Sequence, residues 1–397
     1  MNFPIFELSR INEWVESNDY RRIALQFPQD LLSSAPEILL ELERCSPGRN
    51  FFILADTSYR SCCLDLIAAE HANCDSIVHF GGACMTDLNN SKIPSLYIFE
   101  KTSIDSSHFK ETISELISIE EREKFDQILI LCDSDYFELE DEIYLTVKSV
   151  FPSTANVHFC KLVKDFDHLN ENHQIILKRE VPTNLYKNNE NLLIFFGGKE
   201  SPLLPLFVLT LSGITKILHY EQSQKYFSPK INRLLMKRMF LAEKVKDANT
   251  IGLVLGYVSM ECRKEAISRV RQLCKQRNKK LYVFYIGKLN EAKLTNFGAE
   301  IDVFVMLSCP YGILLDGNKF FKPIVSLMEV EMALNQSSPY ESIKWTGEAS
   351  DILKNQIQSF NEDTVDVSLT SGNVRSCGCN MSNGENEENM QLIEYSA

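Results

Sequence analysis

Four cysteines stand where a parallel α/β sheet would present its ligands. Cys62 and Cys63 follow the apolar run Phe51-Phe52-Ile53-Leu54-Ala55 through the polar turn Asp56-Thr57-Ser58-Tyr59-Arg60-Ser61. Cys84 follows Ser76-Ile77-Val78-His79-Phe80 through Gly81-Gly82-Ala83, and Cys309 follows the run 302–307 in Ser308-Cys309-Pro310. In open α/β sheets, ligands bind beyond the carboxyl ends of the strands. Thiolates at such a place suit zinc or an iron–sulfur cluster. Four buried, inert thiols in close-packed turns are an equal alternative. No C-x-x-C pair strengthens the metal reading. Cys377-Gly378-Cys379 is the other close pair and lies in a polar tail. Cys45, Cys74, Cys262 and Cys274 sit in or beside helical patterns and read as inert. Cys132 ends a strand with no Gly-rich turn after it, and Cys160 is a weaker ligand candidate.

Other chemistry has little support. The chain holds no G-x-x-x-x-G-K-[ST], no G-x-S-x-G, no H-E-x-x-H and no G-x-G-x-x-G after its first strand. Its seven histidines are scattered. His79, inside an apolar strand, reads as a core histidine, and His71 as a partly exposed cap. Phe196-Gly197-Gly198-Lys199-Glu200-Ser201 is a Gly-rich strand–helix turn whose amides could hold a phosphate or carboxylate. A plain tight turn serves equally well.

Short apolar runs rich in β-branched and aromatic residues must carry these turns. They predict strands at 22–26, 51–55, 76–80 and 95–99, then 127–131, 156–159, 192–196 and 216–219, then 251–255, 281–285, 302–307 and 323–325. Helical patterns lie between them, as at 30–45 and 231–247. Near-continuous apolar strands alternating with helices mean parallel sheets covered on both faces. Three groups of four predict three similar small α/β domains, each with a mainly four-stranded parallel sheet flanked by helices. The expected boundaries are 1–110 with Cys62, Cys63 and Cys84, then 111–247, then 248–348 with Cys309. Residues 349–397, rich in Ser, Asn, Glu and Gly, read as a mostly disordered acidic tail.

The 397 residues are 44 % hydrophobic and 24 % charged, an ordinary globular composition. The net charge of −13 argues against a broad electrostatic grip on nucleic acid. Part of it is local, with eight acids against two bases from Ser350 onward. No apolar run reaches the ~18 residues of a membrane helix. The best candidate, 203–214, is interrupted by Pro205. The first residues lack a basic n-region, so the expectation is a cytoplasmic chain with no membrane partner and no disulfide framework among its twelve cysteines.

Several long motifs resemble the diphthamide synthesis family. They are Ala55-Asp56-Thr57-Ser58-Tyr59-Arg60-Ser61-Cys62-Cys63-Leu64-Asp65, then Ala69-Glu70-His71, then Ile77-Val78-His79-Phe80-Gly81-Gly82-Ala83-Cys84. The likeness continues through 285–297, Ser308-Cys309-Pro310, Lys322-Pro323-Ile324-Val325 with Glu329 and Glu331, and ends at Trp345-Thr346-Gly347. The Asp-Thr-Ser-Tyr start and the Gly-Lys-Leu-Asn-x-Ala-Lys-Leu segment look like the branch of eukaryotic second subunits. Arg60 stands where the family usually has Gly.

The resemblance implies radical chemistry in a transferase complex. A 4Fe–4S cluster cleaves S-adenosylmethionine, and the 3-amino-3-carboxypropyl group passes to a histidine of translation elongation factor 2. The family's catalytic members carry one cluster cysteine in each of three domains. Cys62 and Cys309 match the first and third, whereas the stretch 179–186 has no cysteine to match the second. That departure implies a supporting half in a heterodimer with a subunit 1 homologue. Such a half helps to reduce the partner's cluster, with electrons from a small zinc/iron protein, and does not itself bind S-adenosylmethionine productively. Cys63, Cys84 and Cys309 are then the ligands, with Cys62 as the alternative to Cys63, and no residue is assigned to catalysis. Two other readings stay open: a structural partner with inert thiols, and a catalytic homodimer.

Overall fold

The structure is a computed structural model that describes residues 5–55, 61–85, 93–100, 102–163, 173–183, 185, 190–211, 214–221, 224–227, 231–256, 262–286, 291–312, 320–335, 345–358, 367–369, 372 and 393–394. Arg60, the Gly287-Lys288-Leu289-Asn290 motif, Cys377, Cys379 and most of the acidic tail lie outside them. The chain divides into two compact units, 1–204 with 211–229, and 205–210 with 230–397.

The first unit holds two parallel sheets. In the first, β1 (Arg22–Gln26), β2 (Asn50–Leu54), β3 (Ser76–Phe80) and β4 (Ser95–Ile98) lie in the order β2-β1-β3-β4, every pair parallel. The helix Ala35–Cys45 covers one face with Ile38 and Leu42 against Ile23, Leu25 and Val78. The other face packs Ala24 and Ile77 against Leu64 and Ala69, the latter from the short helix Leu66–His71. Burial on both faces explains why these strands read as unbroken apolar runs.

The second sheet is built from β5 (Phe125–Cys132), β6 (Asn156–Phe159), β9 (Glu190–Phe196), β10 (Lys216–Glu221) and β11 (Gln224–Phe227). Its order is β11-β10-β9-β5-β6, parallel except for the β10–β11 hairpin. Between β6 and β9 a separate antiparallel pair forms from β7 (His173–Ile176) and β8 (Arg179–Pro182). The sequence pattern predicts no strand between 159 and 192. The turn uses Leu177 and Lys178 at φ 50 and 61°, without the Gly or Asn that normally marks such a turn. Within this unit Phe99, just after β4, meets Phe137, which follows β5, and Leu162, which follows β6, packs into the first sheet's cluster.

The second unit has one sheet, β15-β14-β12-β13-β16, from β12 (Thr250–Leu255), β13 (Lys280–Tyr285), β14 (Val303–Leu307), β15 (Ile324–Val325) and β16 (Ile393–Glu394), all parallel. Within the segment 349–397, β16 and the helix Ala349–Leu353 are regular. Chain beyond Gly347 also joins the core, since Asn335 donates to Gln356 O and accepts from Gln358 N.

One relationship recurs. With the edge strands β11 and β16 set aside, the order is second-first-third-fourth in all three sheets. The order reverses between the first and third strands, which is where such sheets open a crevice at their carboxyl edge.

Candidate metal centre

In the first sheet the crevice falls between the ends of β1 and β3, and three thiols gather there. Cys63 Sγ lies 3.9 Å from Cys62 Sγ and 3.7 Å from Cys84 Sγ, and all three sulfurs fall within 4.8 Å of one another. Cys63 and Cys84 are only 2 % and 6 % exposed, while Cys62 is half-buried.

The turns that carry them are fixed by backbone hydrogen bonds. The Cys84 amide donates to Cys62 O at 3.0 Å. Gln26, the last residue of β1, donates through Nε2 to Cys63 O at 2.7 Å and accepts from Asp65 N at 3.0 Å. His79 on β3 holds Ser61 O at 2.8 Å through Nε2. A carbonyl only accepts, so Nε2 carries the proton. Burial pushes the His79 ring down to about 4, so it is neutral at physiological pH. Asp65 then caps the helix Leu66–His71 by accepting from Ala68 N at 2.9 Å. Gly81 lets the chain turn toward Cys84. Its φ is +83°, and a side chain there would meet Pro28 Cγ at 2.9 Å.

The second unit presents its own thiol. Cys309, 1 % exposed, follows β14, the third strand of its sheet, as Cys84 follows the third strand of the first sheet. Its carbonyl accepts from Gly312 N at 3.0 Å. Pro310, next along, packs against Gly347, where an added Cβ would sit 3.0 Å from Pro310 Cβ. Gly347 follows Trp345, whose Nε1 donates to buried Glu329 at 2.8 Å. Glu329 also accepts from Ser326 N at 2.7 Å and has Arg238 at 3.5 Å.

The second sheet carries no thiol at the equivalent place. After β9 comes Gly197-Gly198, and the Gly198 amide is taken by Asp133 Oδ2 at 3.2 Å, with Ser201 Oγ on Oδ1 at 2.7 Å. The Gly-rich turn does bind a carboxylate, but it is the chain's own. Burial raises the Asp133 carboxyl to about 6. Cys132 and Cys160 are fully buried in this sheet, and burial pushes the Cys160 thiol up to about 12, which makes it inert. Cys274 is likewise buried and pushed up to about 12.

A family model for diphthamide synthesis proteins matches residues 27–346. The chain belongs to the diphthamide synthesis family. The 2-(3-amino-3-carboxypropyl)histidine synthase subunit 2 of Caenorhabditis elegans is 38 % identical over 93 % of this chain and 79 % of its own length. That of Danio rerio is 30 % identical over 98 % and 81 %. Two structures of Dph2 from Pyrococcus horikoshii share the fold at a TM-score of 0.60 and 18 % identity. The match to the first covers 84 % of this chain and 91 % of that one. The second, described with a 4Fe–4S cluster, matches over 88 % and 94 %.

For a diphthamide family chain the donor set is chemically apt. Three soft thiols converge with no carboxylate among them, a choice that selects zinc or iron–sulfur over hard cations. Sequence reasoning found the thiols because strand ends and Gly-rich turns are visible in one dimension. It missed Gln26, whose only sequence signal is an amide closing an apolar strand.

Proposed function

We propose that this chain is the supporting subunit of a 2-(3-amino-3-carboxypropyl)histidine synthase in the first step of diphthamide biosynthesis. It works in the cytoplasm beside a subunit 1 partner, which transfers the 3-amino-3-carboxypropyl group from S-adenosylmethionine to a histidine of translation elongation factor 2. Cys63, Cys84 and Cys309 hold a 4Fe–4S cluster. Such a cluster, when bound, supplies single electrons. A small zinc/iron protein is the electron source, and reduction of the partner's centre is this chain's task.

The observation that carries this reading is the convergence of Cys62, Cys63 and Cys84 at the first sheet's crevice in a chain of this family. Cys63 is the central thiol, within 4 Å of both neighbours, which favours it over Cys62 as the ligand. The Asp133 carboxylate in the middle sheet's turn supports a non-catalytic role, since no thiol follows β9. What the chain's own residues supply is thiolate donors, a shell that keeps water away, and backbone bonds that fix the turns.

The test is the iron and labile sulfide content of the anaerobically purified full-length chain, with its spectrum before and after reduction. About four irons per chain and a reducible signal are expected. An iron-free chain that still activates subunit 1 would leave only the structural-partner reading.

A further inference from the structure

Gln26 and His79 are register partners on β1 and β3, at the point where the strand order of the first sheet reverses. Both are buried polar side chains, 1 % and 0 % exposed. A buried amide or imidazole is stabilised only by the hydrogen bonds it makes. These two spend theirs on one short stretch of backbone. His79 takes Ser61 O, before the vicinal cysteines, while Gln26 takes Cys63 O and Asp65 N, after them. Between the two grips, Cys62 O is taken by the Cys84 amide. Every carbonyl from Ser61 to Cys63 is therefore held from the end of β1 or of β3.

We infer that Gln26 and His79 are positioning residues of the metal centre: together they clamp the Ser61–Asp65 backbone so that Cys63 is the thiol buried against Cys84 at 3.7 Å, while Cys62, within 4.8 Å, stays half-buried. Cys62 Sγ lies only 3.9 Å from Cys63 Sγ, so a small rotation of this stretch would exchange the two thiols. The clamp blocks that rotation at both ends. Gln26 is suited to the downstream end because one amide can donate to Cys63 O and accept from Asp65 N at once. His79 is suited to the upstream end because its Nδ1 makes no hydrogen bond among the described residues, leaving a single donor on Nε2. The inference rests on the cluster reading above.

The test uses the full-length chain and the variants His79→Leu, His79→Gln, Gln26→Leu and Gln26→Glu. His79→Gln keeps an N–H within reach of Ser61 O. The glutamate at 26 keeps the shape and the acceptor for Asp65 N but loses the donor to Cys63 O, so it serves should the leucine variant fail to fold. Two readouts are taken. One is the rate at which a chelator strips iron from the anaerobic protein, with the reduced cluster's EPR spectrum. The other is iodoacetamide labelling of Cys62 against Cys63 in the metal-free chain, read by peptide mass spectrometry.

Loss of supporting bonds around a metal ligand typically weakens the site ~10–100-fold. The expected result is iron loss faster by about that factor in His79→Leu, Gln26→Leu and Gln26→Glu, with an altered EPR spectrum and with Cys63 labelling as fast as Cys62. His79→Gln should recover most of the wild-type behaviour. Variants that fold and keep the wild-type spectrum, iron retention and labelling ratio would overturn the clamp. So would a folded His79→Gln that fails like His79→Leu. If the wild-type chain holds no iron, the cluster reading falls, and the labelling ratio alone still decides the clamp.

Discussion

The Cys84 amide reaches across the end of β1 to the carbonyl of Cys62, 3.0 Å away, and so ties the turn after β2 to the turn after β3. Those strands are not neighbours, because β1 lies between them. The tie closes over Gln26, and the thiols are brought together by backbone bonds that need no metal.

That preformed geometry predicts binding of a single soft ion by the metal-free chain. Thiolates that share one tetrahedral ion at bonds of ~2.3 Å stand roughly 3.8 Å apart. The separations of 3.9 and 3.7 Å around Cys63 match this. Co²⁺ added anaerobically to the metal-free protein should give the visible bands of tetrahedral cobalt thiolate. Cys84→Ser should lose them, whereas Cys45→Ser, at an exposed helix end, should not. A wild-type spectrum that stays that of hydrated cobalt would contradict the prediction.

Cys309→Ala separates electron delivery from structure. On the proposed reading, removing this thiol should cost at most about 2 kcal/mol of stability while abolishing the chain's cluster signal. Modification of elongation factor 2 by the complex should fall with the physiological donor and partly recover with dithionite. Equal, severe loss with both reductants would mean that Cys309 serves catalysis or structure directly. No loss with either would favour a structural partner.

Twelve of the strands in the three sheets were legible because each is a short apolar run, and the carboxyl-edge rule then located the cysteines. The strand order was not, since pairing joins residues far apart in sequence. Gln26 grips Cys63 37 positions away and Asp133 grips Gly198 65 positions away. The β7–β8 hairpin escaped because Leu177 and Lys178 occupy positive φ without turn residues. β16 escaped because two residues, Ile393 and Glu394, leave no periodicity to read.

In the second unit, Arg269 is nine-tenths buried and forks onto Glu331 through Nε at 3.1 Å and through Nη2. Asn335 Nδ2 adds a bond to the same carboxylate. Arg269→Leu strips the charge partner and leaves a buried carboxylate, which typically costs ~3–5 kcal/mol. The double variant with Glu331→Met removes both charges and should regain most of that loss. Urea unfolding of the three proteins checks it, and a double variant no more stable than Arg269→Leu would contradict the ion-pair account.

Asp133 gives a pH signature with a definite sign. Its folded carboxyl is raised to about 6, chiefly by burial, against an ordinary value of 3.8. Between those values the folded chain keeps a proton that the unfolded chain releases, so this group's contribution to stability falls as pH rises from about 4 to 6. Above about pH 7 the full penalty of a buried carboxylate is present. Asp133→Asn has no such titration. The stability of Asp133→Asn relative to wild type should therefore improve on going from pH 4 to 6.5, by on the order of 2 kcal/mol. Paired urea titrations at the two values measure it. The difference should stay level above pH 7, where Asp133 is ionised in both states. A difference that is flat from pH 4 to 6.5, or that runs the other way, would mean that the bonds from Ser201 and Gly198 outweigh burial and keep the carboxylate charged.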